Sequence, residues 1–141
     1  MIVPYLYFNG SASDAIALYV HAFQAETPQI ERFGDMPADP GNPVPVEAAN
    51  LVMHAELHLA DGVVMISDAF GKMVGMDGNI SLQVILDDGD ALRHAFDVLK
   101  EGGEVGMPLA PTFWTPLFGS LTDRFGVEWQ LGLAAKNPSS N

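Results

Sequence analysis

Residues 51–59 show the clearest alternation of apolar and polar positions in the chain. The odd positions of this segment are apolar, namely Leu51, Met53, Ala55, Leu57 and Leu59. The even positions include His54, Glu56 and His58. Strict alternation is typical of a strand with one buried face. Asp61-Gly62 follows, which predicts a two-residue hairpin turn with residues 63–68 as the returning strand.

The other segments read as six more strands and two helices. The strands are predicted at residues 2–8, 29–33, 80–86, 104–107, 114–121 and 127–133. One helix is predicted up to Phe23, capped by Ser11 or Ser13, and the other from an Asp cap at 87–90 to Lys100. Residues 34–50 carry four prolines and predict a loop. Such a long loop is either a lid over a pocket or a variable surface excursion.

The order of these elements repeats. Strand, helix and three strands occur in residues 1–70, and the same order returns in residues 79–134, with a linker at 71–78. We therefore predict an α+β fold of two βαβββ modules within a single domain of residues 1–141. A doubly wound parallel sheet is excluded, because it needs helices between most of its strands.

Charge and composition exclude several classes of partner. The chain has 18 Asp and Glu against 6 Lys and Arg, a net charge of −12, so it lacks the basic patch that binds nucleic acid or anionic membrane. It has no cysteine and no apolar run of bilayer length, and no signal peptide is visible, so a cytoplasmic protein is expected. The acids are expected to form a solvated coat, with Glu56 and then Glu128 the main ones on pocket strands. A site for a cationic or metal-bearing ligand is the alternative.

The candidate site lies on the hairpin of residues 51–68. With Asp61-Gly62 as the turn, Ala60 pairs with Val63, Glu56 lies opposite Ser67, and His58 lies opposite Met65. These residues and His54 then share one face, and Asp68 lies on the other.

On this face His54 and Glu56 are candidates for proton transfer or ligand orientation, since an imidazole titrates near pH 6.5. Met65 and Ser67 are candidate ligand contacts. Two alternatives stay open. In the first alternative, the polar residues of this face are simply solvated strand positions. In the second, His54-x-Glu56-x-His58 holds a metal together with a third ligand from elsewhere in the chain.

The second module offers candidate ligand contacts of a different kind. Phe113 and Trp114 are aromatic side chains suited to the wall of a pocket, although core and dimer packing is the commoner role of such residues. Gln83 and Gln130 lie on predicted strands, where they would supply neutral hydrogen bonds.

Four segments carry a resemblance to a known family. They are PYLYFNG at 4–10, VMHAEL at 52–57, SDA at 67–69 and FWTPLFGSLTDRFGVEW at 113–129. With the βαβββ duplication, they resemble the PhnB-like branch of the vicinal oxygen chelate superfamily, which includes glyoxalase I, bleomycin-resistance proteins and dioxygenases. The branch carries the label 3-demethylubiquinone-9 3-methyltransferase. The resemblance implies that each module curls its sheet into half of a cup around a pocket.

The resemblance also implies four metal-ligand positions, which fall at Pro4, Ser67 (to within one residue), Ser81 and Gln130. None has an imidazole or carboxylate, the groups that hold Zn²⁺ or Fe²⁺ tightly. No standard metal or other cofactor is therefore expected, although a divalent metal at another place is not excluded.

The expected function is binding of a small molecule in a cup-shaped pocket by a homodimer. The alternatives are a metal-dependent glyoxalase-like lyase, isomerase or dioxygenase, a drug-sequestering resistance protein, and a scaffold that only mediates interactions. Whether the protein is an enzyme stays open. Methyl transfer is not expected, because the βαβββ order differs from the doubly wound sheet usual for the methyl-donor cofactor.

Overall fold

In the computed structural model, which describes residues 1–37, 40–41, 43–70 and 80–135, the alternating segments form two four-stranded sheets. The described strands are β1 (Tyr5–Phe8), β2 (Ile30–Arg32), β3 (Val52–Leu59), β4 (Gly62–Asp68), β5 (Leu82–Leu86), β6 (Glu104–Ala110), β7 (Phe118–Thr122) and β8 (Glu128–Leu133). The described α-helices are α1 (Ala12–Phe23) and α2 (Gly89–Leu99). The predicted linker at 71–78 lies outside the described residues.

The two sheets have the same topology. The strand order is β1-β4-β3-β2 in the first and β5-β8-β7-β6 in the second. In each, the first strand of the module pairs in parallel with the last, and the other neighbours are antiparallel. The predicted α+β fold with a repeated βαβββ order is confirmed. No helix among the described residues is long and apolar enough to cross a bilayer.

The chain divides into two compact units, one containing the first sheet and residues 1–20, the other containing the second sheet and the last turn of α1. The core of the first unit contains the following buried side chains from α1 and the first sheet: Phe8, Ala12, Ala15, Tyr19, Val52, Ala55, Leu57, Leu59, Val64 and Ile66. From Ala55 onward, alternate positions of β3 supply the core, as do Val64 and Ile66 of β4, because side chains of a strand alternate between its faces.

The start of α1 is held by a side chain from the sheet and not by a serine. Ser11 occupies the N-cap position, but its side chain makes no capping hydrogen bond. Instead, Asp68 Oδ1 accepts hydrogen bonds from the N–H groups of Gly10 and Ala12, both at 3.0 Å. The predicted serine cap is therefore wrong. The carboxylate at the end of β4 binds the N–H groups at the start of the helix in place of a serine hydroxyl.

The hairpin between β3 and β4 turns one residue earlier than predicted. Leu59 pairs with Gly62, and the two turn residues are Ala60 and Asp61, with φ of 46° and 68°. Two positive φ values are typical of a type I′ turn. Glu56 consequently lies opposite Met65 and His58 opposite Val63, so the predicted pairs with Ser67 and Met65 are wrong. The register shifts by two residues, which leaves every side chain on its predicted face.

The second unit is built in the same way around its own core. Leu92, Phe96 and Leu99 of α2 are buried, as are Leu121, Trp129 and Leu131 of the sheet. Asp88 caps α2 as predicted, since its carboxylate accepts a hydrogen bond from Asp90 N.

Two strand boundaries in the second unit differ from the prediction. β6 continues to Ala110 through two register shifts, and β7 begins only at Phe118. Phe113 and Trp114 therefore precede the strand instead of starting it.

Candidate functional site

One face of the first sheet carries the polar and aromatic side chains of its strands, and we call it the open face. Tyr5 and Tyr7 of β1 are in register with Met65 and Ser67 of β4, and Glu56 of β3 also pairs with Met65. Glu31 of β2 pairs with His54 of β3. The open face thus consists of Tyr5, Tyr7, Glu31, His54, Glu56, His58, Met65 and Ser67.

His54 is held on this face by an aromatic pair. The Tyr5 hydroxyl lies 3.2 Å from His54 Nδ1, within hydrogen-bonding distance. The rings of Tyr5 and Tyr7 stack with centroids 4.8 Å apart. Both tyrosines remain substantially exposed, at 40% and 48%. With its Nδ1 taken up by the phenol, His54 has its Nε2 left for a ligand.

A depression of about 500 Å³ lies on the β2 and β3 side of the open face. Its lining residues are Glu26, Thr27, Pro28, Gln29, Glu31, His54, Glu56 and His58. None of these described lining residues is Lys or Arg. Arg32, the next residue of β2, points elsewhere, because its guanidinium donates to Ser13 Oγ and to Asn50 O. The depression is therefore a carboxylate- and imidazole-lined surface.

Ser67 is the least exposed polar residue of the open face. Its residue is only 4% exposed, yet its side chain makes no hydrogen bond to any residue that the structure describes. Continuing the β3–β4 register by one residue sets it beside His54, and it pairs with Tyr7 on the other side. Because no fully buried side-chain polar atom of the described residues lacks a hydrogen-bond partner, this hydroxyl keeps some access to solvent.

Glu56 and His58 are the more solvated members of the face. His58 Nε2 lies 3.7 Å from Glu56 Oε2, and their side chains are 71% and 50% exposed in that order. An ion pair this exposed contributes little to stability. Both side chains are therefore free to reorient toward a ligand at small cost.

The candidate residues of the second module belong to the second unit, and of these only Gln83 and Gln130 lie in strands. Gln83 and Gln130 are in register, and Gln130 Nε2 donates to Ser81 Oγ at 3.0 Å. Trp114 contacts Phe118 edge-on with ring centroids 5.5 Å apart, while Phe113 is 96% exposed. This group is neutral and aromatic, in contrast with the acidic depression of the first sheet.

The four positions that the resemblance assigns to metal ligands do not fit a divalent metal. Pro4 has no side-chain donor atom, and its carbonyl accepts a hydrogen bond from Met65 N. Ser81 and Gln130 bind each other. Ser67 offers only a neutral hydroxyl, which is a weak ligand for Zn²⁺ or Fe²⁺. Over the described part of the chain, no three His, Asp or Glu side chains come together as a metal site, and that includes His54, Glu56 and His58.

Sequence reasoning missed four residues of the site. Tyr5 and Tyr7 reach the open face because β1 pairs with β4, which follows it by more than fifty residues, and strand alternation does not specify such a partner. Glu31 lies at the site because β2 pairs with β3, and Glu26 lies there in the segment that precedes β2. The signal present in the sequence was the Tyr-x-Tyr alternation of the first strand.

Comparisons with known proteins identify relatives across nearly the whole chain. The model of a family described as 3-demethylubiquinone-9 3-methyltransferase matches residues 1–132. Protein YjdN of Escherichia coli strain K12 is 31% identical, over 96% of this chain and 97% of its own length. The crystal structure of protein PA1353 from Pseudomonas aeruginosa is 34% identical with a TM-score of 0.81, covering 96% of this chain and 98% of that one. A PhnB protein from Bacillus cereus, described as a putative 3-demethylubiquinone-9 3-methyltransferase, is 29% identical with a TM-score of 0.75, covering 94% and 98%.

A more distant neighbour shows the fold alone. The fosfomycin resistance protein FosX from Mesorhizobium loti is 14% identical with a TM-score of 0.58, and the likeness covers 99% of this chain and 93% of FosX. FosX has the vicinal oxygen chelate fold, so the two-module α+β fold that the resemblance implied is confirmed.

Proposed function

Because the chain belongs to the PhnB-like family described as 3-demethylubiquinone-9 3-methyltransferase, we propose that it binds a small organic molecule on the open face of its first sheet. The observation that carries the proposal is the position of His54. This residue lines the depression and is at the same time held by the Tyr5 hydroxyl. A concave surface with a few convergent polar groups is the usual form of a ligand site.

His54 and Glu56 have the chemistry to orient a ligand or to move a proton. The Tyr5 hydroxyl contacts His54 Nδ1, so Nε2 is the ring nitrogen available to a ligand, as donor or acceptor according to the tautomer. Glu56, two residues along the same strand face, supplies a carboxylate acceptor. In the imidazolium form of His54 both ring nitrogens carry a proton, so the simplest chemistry that the pair offers is a proton taken from a ligand by the Glu56 carboxylate and a proton returned by His54 Nε2–H, which leaves a neutral imidazole.

The family description names a methyl transfer, which we do not assign. The chain's sheets are mixed four-stranded sheets and not the doubly wound parallel sheet usual for the methyl donor. A metal-dependent lyase, isomerase or dioxygenase reaction finds no support in Pro4, Ser67, Ser81 and Gln130. Sequestration of a ligand without chemistry needs only the open face, and is the second candidate.

Three predictions accompany the proposal. We predict ligand contacts for Met65 and Ser67 in the first unit. In the second unit we predict them for Ser81, Gln83, Phe113, Trp114 and Gln130. The protein is predicted to be a homodimer, as closed twofold assembly is the commonest oligomeric form. A cytoplasmic location is predicted from the sequence.

Isotope labelling of the histidines tests the proposed site. A mixture of neutral, anionic and cationic metabolite-like fragments is titrated into ¹⁵N-histidine-labelled protein, and the ring signals of His54 and His21 are followed. We expect some fragments to move the His54 signals while the His21 signals stay, because His21 lies on the last turn of α1 and outside the open face. Fragments that move only His21, or that bind without moving His54, would contradict the proposal.

A further inference from the structure

We propose that His21 and His94 form a binding site for a divalent transition-metal ion such as Zn²⁺. His21 lies on the last turn of α1 and His94 lies within α2, and both belong to the second unit. The site is separate from the open face and uses none of the four positions that the resemblance assigns to metal ligands. An ion bound there would join the end of α1 to α2.

The two imidazole rings have the spacing of a pair that shares one ion. Their centroids are 5.3 Å apart, and their planes lie at 88° to each other. A zinc–nitrogen bond is about 2.1 Å long, so two imidazoles on one tetrahedral Zn²⁺ have ring centroids about 5 Å apart. The separation of His21 and His94 therefore already matches that of a two-histidine site.

His94 is held with one defined ring nitrogen left for an ion. Its Nε2 lies 3.1 Å from the carbonyl oxygen of His21. Because a carbonyl oxygen only accepts, Nε2 carries the hydrogen, and the lone pair of the neutral ring is on Nδ1. Metal-binding histidines commonly donate their other ring N–H to a backbone carbonyl, which fixes both the tautomer and the orientation of the ring. His94 has this arrangement before any ion binds.

The carbonyl of His21 is available because it lies at the end of α1. The last four carbonyls of a helix have no N–H partner within the helix. Gln24 N and Ala25 N both donate to Val20 O, which leaves His21 O to accept from His94. The carbonyl end of a helix carries a partial negative charge, so it favours a cation close by.

The charge of α2 also favours a cation. The helix and its two cap residues carry three Asp against one Arg and one Lys. Asp90 precedes His94 by four residues and Asp97 follows it by three, spacings that place side chains on one side of a helix. Asp97 pairs with Lys100, whereas Asp90 forms no ion pair among the described residues. The imidazoles would bind the ion, and the carboxylates would raise its local concentration.

The donor atoms select the class of ion. Imidazole nitrogen suits Zn²⁺, Ni²⁺ and Cu²⁺, whereas Mg²⁺ and Ca²⁺ take oxygen ligands. No third His, Asp or Glu converges with the pair in the part of the chain that the structure describes, so water would complete the coordination. Two protein ligands make a weaker site than the four of a structural zinc site. The expected ion therefore exchanges with solution.

Titration of ¹⁵N-histidine-labelled protein with Zn²⁺ tests the site. We expect the ring signals of His21 and His94 to change together, with the larger change of His94 at Nδ1 while its Nε2 keeps the hydrogen. At the same Zn²⁺ concentrations, the signals of His54 and His58 are expected to change less. Mg²⁺ is expected to move neither His21 nor His94, because it does not bind imidazole.

Matched variants locate the ligands. His21→Ala and His94→Gln are each expected to weaken Zn²⁺ binding by at least about tenfold. A Gln amide keeps an N–H donor for His21 O, so this variant removes the imidazole and retains a cap for α1. His58→Ala is the control, because it removes an exposed histidine of the first unit, and it is expected to change the affinity by less than about twofold. Zn²⁺ is expected to raise the Tm of the parent protein and of His58→Ala, but not of His21→Ala.

The contrary outcomes are distinct from one another. If Zn²⁺ moves His54 and His58 and leaves His21 and His94 unchanged, the ion binds at the open face and the inference is wrong. If Mg²⁺ acts as Zn²⁺ does, or if His58→Ala weakens binding as much as His21→Ala, general negative charge attracts the ion and the inference is again wrong. If saturating Zn²⁺ moves no histidine signal, the contact between His21 and His94 is packing alone. None of these results bears on the proposed function, which the fragment titration decides separately.

Discussion

Asp68→Asn lowers the free energy of unfolding by about 3 kcal/mol, which we expect to be one of the two largest effects of a single substitution in the first unit. Asp68 is 3% exposed, and its Oδ1 accepts from Gly10 N and Ala12 N while its Oδ2 accepts from Val52 N, all at 3.0 Å. An amide retains only one oxygen. Its NH₂ group must therefore face at least one N–H that it cannot bind, and a buried unsatisfied donor is costly.

The effect is measured by urea unfolding of Asp68→Asn beside Asp14→Asn. Asp14 is an exposed acid in the first turn of α1, so its loss is expected to change stability by no more than about 0.5 kcal/mol. Equal stability of the two variants would mean that the carboxylate does not join β1, α1 and β3 in the way described.

Leu57→Ala is expected to cost about 3 kcal/mol, because Leu57 is 0% exposed in the core and its removal leaves a cavity. His58→Ala, the next residue of the same strand, is expected to cost no more than about 0.5 kcal/mol, since its side chain is 71% exposed. Chemical denaturation of the two variants measures the difference.

The Leu57→Ala and His58→Ala variants test whether the two faces of β3 have different roles. One face stabilises the fold, and the other is left available for a ligand. A large loss of stability in His58→Ala would show that the open face is structural, which would weaken the proposed site. A small loss in Leu57→Ala would mean that the buried and open faces are reversed.

The faces of β3 and β4 could be predicted because alternation determines which side chains share a side. The register could not be predicted in the same way, because a slip of two residues leaves His54, Glu56 and Ser67 on the same face. Only the turn decides between the two registers. Its Ala60-Asp61 pair, with positive φ at both residues, carries a weaker signal than the Asp61-Gly62 pair beside it.

The long-range members of the site were beyond sequence reasoning. The parallel pairing of β1 with β4 brings Tyr7 beside Ser67, and the capping of α1 by Asp68 depends on the same arrangement. Neither contact leaves a local pattern in the chain. The acidic residues show the same limit, since Glu56 was expected on a pocket strand, while Glu26 and Glu31 join it only through the folded sheet.

The location of a bound ligand tests the central claim, that the open face of the first sheet is the ligand site. A crystal structure of the protein soaked with the tightest-binding fragment provides this measurement. We predict ligand density against Tyr7 and His54, with a polar group within hydrogen-bonding distance of Ser67, Glu31 or Glu56. An ordered ligand bound only elsewhere, for example against Gln83 and Gln130 of the second sheet, would contradict the claim.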